Sequence, residues 1–133
     1  RNDLTVIAAA AAEPINPPEG GLTAPGPETS LGVFSLTGEI VDSKCYPGVM
    51  KPGWTKTHRS CAIRCISGGV PPVFVVRNQK RDTMYLLLAD LEGHAVNARI
   101  LDVVADPIKI TGEVIQFGDI FVLKADPETY ELL

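Results

Sequence analysis

Four residues in the sequence carry the types and spacing of a chemical site: Cys45, His58, Cys61 and Cys65. They lie in the stretch GEIVDSKCYPGVMKPGWTKTHRSCAIRCISGGVPPVFVV, residues 38–76, which also contains every cysteine and the single tryptophan, Trp54. Thr57 to Ile66 reads as a short helix stopped by Gly68-Gly69. At about 100° per residue, His58, Cys61 and Cys65 fall within roughly 60° of one another on that helix. Cys45 reaches them from the preceding strand. Together they form a Cys3His donor set, which suits tetrahedral zinc. Thiolates also favour copper and iron–sulfur clusters. A disulfide from Cys45 to Cys61 or to Cys65 is the competing reading, and it leaves the third thiol buried or reactive. Cys61 to Cys65 is the poorest pair, because i,i+4 positions direct their Cβ vectors badly. A catalytic thiol pair ranks last, since C-x3-C is not the redox spacing C-x-x-C.

The flanking residues set the electrostatics. From Lys44 to Ile66 the charges are Lys44, Lys51, Lys56, Arg59 and Arg64, with no carboxylate. Cations beside a thiol favour its thiolate, which serves both metal binding and redox reactivity. The same run also reads as a solvated face, or as a contact for an anionic ligand or acidic partner. Trp54 reads as loop packing or a stacking platform, Met50 as loop filler or a soft ligand, and His94 as a surface residue.

The elements that must position these residues follow from periodicity. Residues 1–31 read as a tail: LTVIAAAAA is too short to span a bilayer, and EPINPPEGGLTAPGPETS is rich in proline and glycine. Residues 32–133 form the domain, with 44–71 as a Cys-rich insertion. Val33 to Ser43 reads as a strand whose Phe34, Leu36, Gly38, Ile40 and Asp42 share one face. Gly38 marks a bend or a close backbone approach. Pro72 to Val76 and Thr83 to Ala89 read as a hairpin. Gly93 to Ala105 reads as a helix with Val96, Ile100, Val103 and Val104 in a stripe. Ile108 to Phe117 and Ile120 to Lys124 form a second hairpin across Gly118-Asp119, with a bulge at Val114-Ile115. This order predicts a mainly β fold: an OB-like five-stranded barrel with one helix between strands three and four, and the Cys-rich insertion between strands one and two.

Composition limits the function classes. The 133 residues include 12 basic and 16 acidic side chains, a formal charge of −4, which argues against nucleic acid as a partner. The chain starts at Arg1, consistent with a preceding signal, anchor or other segment and therefore with membrane proximity.

The segments GEIVDSKCYPGVMKPG and HRSCAIRCISGGVPPVFVV resemble a motif of small bacterial proteins that are exported or membrane-anchored and have no characterised function. The resemblance covers about a third of the chain and includes Cys45, His58, Cys61 and Cys65. It implies an extracytoplasmic (periplasmic) location and association with redox or respiratory membrane systems. It implies no reaction. The resulting expectation is a non-enzymatic accessory or structural subunit of a larger membrane or redox complex, its Cys-rich loop locked by a disulfide or metal. The alternative is a metal- or cofactor-binding module in electron transfer or metal handling.

Overall fold

A computed structural model describes residues 27–48, 50–80 and 82–133. Most of the expected tail lies outside these residues. Its last three positions, Thr29 to Leu31, already belong to the first strand, β1 (Thr29–Asp42). The chain continues through α1 (Thr55–Ser67), β2 (Pro72–Arg77), β3 (Thr83–Ala89), β4 (Pro107–Phe117), β5 (Ile120–Lys124) and a short β6 (Glu131–Leu132).

The strands close into a barrel in the order β1-β2-β3-β5-β4, with β4 returning to β1. All pairings are antiparallel except β3 with β5. This is the expected OB-like, mainly β architecture. β1 makes the closure possible: Thr29 to Glu39 pair with β4, and Gly38 to Asp42 pair with β2. Gly38 and Glu39 therefore bond to neighbours on both sides. The close approach expected at Gly38 is present, since a Cβ there would strike the Val75 carbonyl oxygen. β6 was not anticipated; it adds two pairs to β4, at Ile108 and Lys109.

Two expectations are corrected. The bulge lies on β1, where the register slips at Leu31, between Ser30 opposite Ile115 and Gly32 opposite Val114. β4 remains regular against β5 through Val114 and Ile115. Both of those side chains are buried, so the doubled apolar pair reflects cover on both faces rather than an inserted residue.

The segment from Gly93 to Ala105 is not an α-helix. It consists of two 3-10 turns, Asn97–Arg99 and Leu101–Val103. Its stripe is nonetheless buried, with Val96, Ile100 and Val104 at the core. Helix is blocked at the start because Asp90 Oδ1 accepts the N–H groups of Glu92 and His94, and Ala95 bridges to Ala89. Four β-branched residues, Val96, Ile100, Val103 and Val104, add crowding. α1 packs on the same core, placing Ala62 and Ile66 with Ile40, Phe74 and Leu123.

Tyr130 packs against this core with its hydroxyl buried and without a hydrogen-bond partner among the described residues. Burial, followed by the charge of Asp126, pushes its phenol from 10.0 up to about 12, against a lowering by Arg99. Because the folded pKa lies above the unfolded one, stability is held in full below pH 10 and falls as the pH rises toward about 12. Tyr130→Phe removes the unsatisfied hydroxyl and is expected to stabilise the fold by about 1 kcal/mol. Urea titrations at pH 7 and across the alkaline range check this: the variant should start higher and lose less above pH 10.

Candidate metal centre

The cysteine-bearing helix is fixed at both ends and along one side. Buried His58, Ala62 and Ile66, at i, i+4 and i+8, set the face that meets the barrel. At the N-terminus, the carboxylate of Glu39, outside the helix, accepts the Thr55 N–H, which suits the positive end of the helix dipole. At the C-terminus, Gly69 adopts φ +99°, the Gly69 N–H reaches the Ile66 carbonyl and the Val70 N–H reaches that of Cys65. This pair of bonds is a Schellman stop. Asn97 Nδ2 adds bonds to the carbonyls of Ile66 and Val70, at 2.8 and 3.0 Å.

Cys61 and Cys65 lie beside the buried stripe, half-exposed, and point toward the turn after β1. Cys45 Sγ is there, 3.7 Å from Cys61 Sγ and 3.9 Å from Cys65 Sγ. All three are free thiols, and the three sulfurs lie within 4.8 Å of one another. They could hold a metal ion.

His58 is placed differently from the expectation of a single Cys3His cluster. Its ring groups with Cys45 and Asp42, while Cys45 also groups with Cys61 and Cys65. The two triads share Cys45. Nε2 of His58 lies 2.8 Å from Asp42 Oδ2, and both side chains are almost completely buried, at 1% and 0% exposure. Asp42 Oδ1 accepts the backbone N–H of Cys45 at 2.5 Å and of Lys44 at 3.1 Å.

Asp42 is the site residue that the motif reading overlooked. The strand period placed it on the inward face beside Ile40, and a buried carboxylate requires partners. That requirement was the available signal.

The basic residues do not act as expected. Arg59 pairs with Asp106 at 2.6 Å and Lys56 with the same carboxylate at 3.7 Å, tying α1 to the turn before β4. Cys45 and Cys65 are raised rather than lowered. Burial, the contact with Cys61 and the charge of Asp42 push Cys45 from 9.0 up to about 12, and burial also raises Cys65. A raised thiol is less often the thiolate, which disfavours Cys45 and Cys65 as reactive redox groups.

Two aromatic residues hold the rest of the loop. Trp54 lies under the Arg77 guanidinium, 3.8 Å from ring centroid to Cζ. Arg77 Nη2 donates to the Tyr46 hydroxyl at 3.1 Å, and Tyr46 packs on Tyr85 at 5.9 Å between centroids. Trp54 is thus a packing residue, and Arg77, at the end of an otherwise apolar strand, is its partner. Met50 is exposed. His94 is exposed beside Asp90 and Glu92.

Comparison with protein-family models, curated proteins and solved structures finds no match for this chain. Among the described residues, no helix is long and apolar enough to cross a membrane.

Proposed function

We propose that this chain is a metal-binding module in which an OB-like barrel presents a thiophilic ion, zinc or copper(I), on Cys45, Cys61 and Cys65. The supporting observation is the sulfur spacing. Thiolates about 2.3 Å from one ion stand roughly 3.8 Å apart in a tetrahedral set, and the separations from Cys45 are 3.7 and 3.9 Å. A structural disulfide selects one partner, whereas Cys45 is nearly equidistant from two. Three thiolates suit metal handling, or electron transfer where the ion is copper.

A second reading, an accessory subunit docking on a larger membrane or redox complex, is supported by β1. Residues 29–37 pair only with β4 among the described residues, and Leu31, Val33 and Phe34 are exposed on this strand. The two readings are compatible, since a metal module can serve within a complex. The extracytoplasmic location is carried by the motif resemblance.

Native mass spectrometry with elemental analysis tests the metal reading. The expected result is one zinc or copper ion per chain, and three alkylatable thiols after chelation. A metal-free chain lighter by two hydrogen atoms would establish the disulfide instead.

A further inference from the structure

We infer that Asp42 is the positioning residue of this metal centre: it holds His58 in one tautomer and brings it into the surroundings of the ion. The inference rests on the metal reading above and extends it to two residues outside the thiol trio.

The argument begins with the hydrogen-bond inventory of one carboxylate. Asp42 is fully buried, and both its oxygens are occupied. Oδ1 takes two backbone N–H groups, one of them from Cys45, a proposed ligand. Oδ2 takes Nε2 of His58. A carboxylate offers only lone pairs, so Nε2 must carry the proton. The other ring nitrogen of the neutral imidazole, Nδ1, then holds a lone pair. Nδ1 is buried and has no hydrogen-bond partner among the described residues. A histidine serving only to satisfy a buried aspartate would be expected to place its second nitrogen against a donor or solvent, because an unpaired buried acceptor costs free energy. Here Nδ1 is left open in a ring that has one of its nitrogens within 4.8 Å of Cys45 Sγ, the sulfur shared by both triads.

A carboxylate on one ring nitrogen with the other nitrogen free is the arrangement by which proteins fix a histidine for metal binding. The same carboxylate also fixes the backbone of the central cysteine. Asp42 therefore controls two features of the site at once: where the Cys45 sulfur stands, and which His58 nitrogen can donate.

The test uses the full chain, reduced and stripped of metal with a chelator, and titrates it with Co(II). Thiolate-to-cobalt charge transfer reports sulfur ligation, and the d–d bands report the geometry and surroundings of the ion. In Asp42→Asn the amide oxygen still accepts the two backbone N–H groups, but the amide nitrogen now faces Nε2. The ring must turn its lone pair to Nε2 and move its proton to Nδ1. The expected result is Co(II) binding weakened about 10–100-fold, with the sulfur charge transfer retained and the d–d bands shifted. His58→Gln should shift the same bands, and it carries the test if Asp42→Asn does not fold. Asp42→Glu, which keeps the carboxylate, should recover part of the affinity. Wild-type bands and affinity in both Asp42→Asn and His58→Gln would overturn the inference and leave the thiol site standing. Absence of any sulfur charge transfer in the wild-type chain would overturn both.

Discussion

Serine at Cys61 and serine at Cys65 are expected to weaken metal binding by similar factors, on the order of 100-fold each, and serine at Cys45 by more. Structural zinc sites bind with roughly 10–16 kcal/mol over four ligands, so one thiolate contributes about 3 kcal/mol. Cys61 and Cys65 stand in near-equivalent places, 3.7 and 3.9 Å from Cys45 on consecutive turns of α1. Cys45 is the sulfur common to both triads, so its loss removes a donor from each. A disulfide predicts the opposite pattern: one of Cys61 and Cys65 would be indispensable and the other silent. Competition against a chromophoric chelator separates the two, and so does melting. A ligand at 100 times its Kd adds about 2.7 kcal/mol to stability, roughly 10 °C in Tm for a chain of this size. That increment should disappear in Cys45→Ser and shrink equally in the other two variants. Unequal effects of Cys61→Ser and Cys65→Ser would count against the metal centre.

The sequence held more of the frame than of the site. Strand periodicity and the two hairpin turns were enough to place all five barrel strands, because a two-residue period with one buried face is a local signal. The stripe of Val96, Ile100 and Val104 was also legible as core. Its backbone was not, because the same spacing is buried by 3-10 turns once Asp90 and Ala95 have used the preceding residues otherwise. The helix that packs against the barrel core came from the insertion, and its register was legible from His58, Cys61 and Cys65. The buried face, however, runs through His58, Ala62 and Ile66, so the cysteines flank the stripe rather than define it. That offset of about one residue separates His58 from a four-donor cluster. The charge reading failed for a different reason. Formal charge along the chain cannot show that Arg59 and Lys56 are taken by Asp106, more than forty residues away, nor that Asp42 lies closer to the thiols in effect than any cation.

Gly38→Ala is expected to cost roughly 3 kcal/mol, the upper part of the range for overpacking. Gly38 is where β1 passes from one partner to the other, with Val76 opposite it on β2 and Ile108 opposite it on β4. A methyl group there would strike the Val75 carbonyl oxygen and come within 2.9 Å of Phe74 Cζ. The usual escape routes are closed. The carbonyl is held in the sheet, Phe74 is fully buried in the core, and β1 cannot move from one neighbour without pressing on the other. The strain should also reach the site, because Asp42 lies four residues along the same strand and its carboxylate sets both Cys45 and His58. Urea midpoints measure the first effect and Co(II) affinity the second. The control is Thr37→Ala on the exposed side of the same strand, which should stay within about 0.5 kcal/mol of the wild type. Equal stability of Gly38→Ala and Thr37→Ala would mean that β1 can shift at the closure point, and the barrel would then not be the rigid support that the metal centre requires.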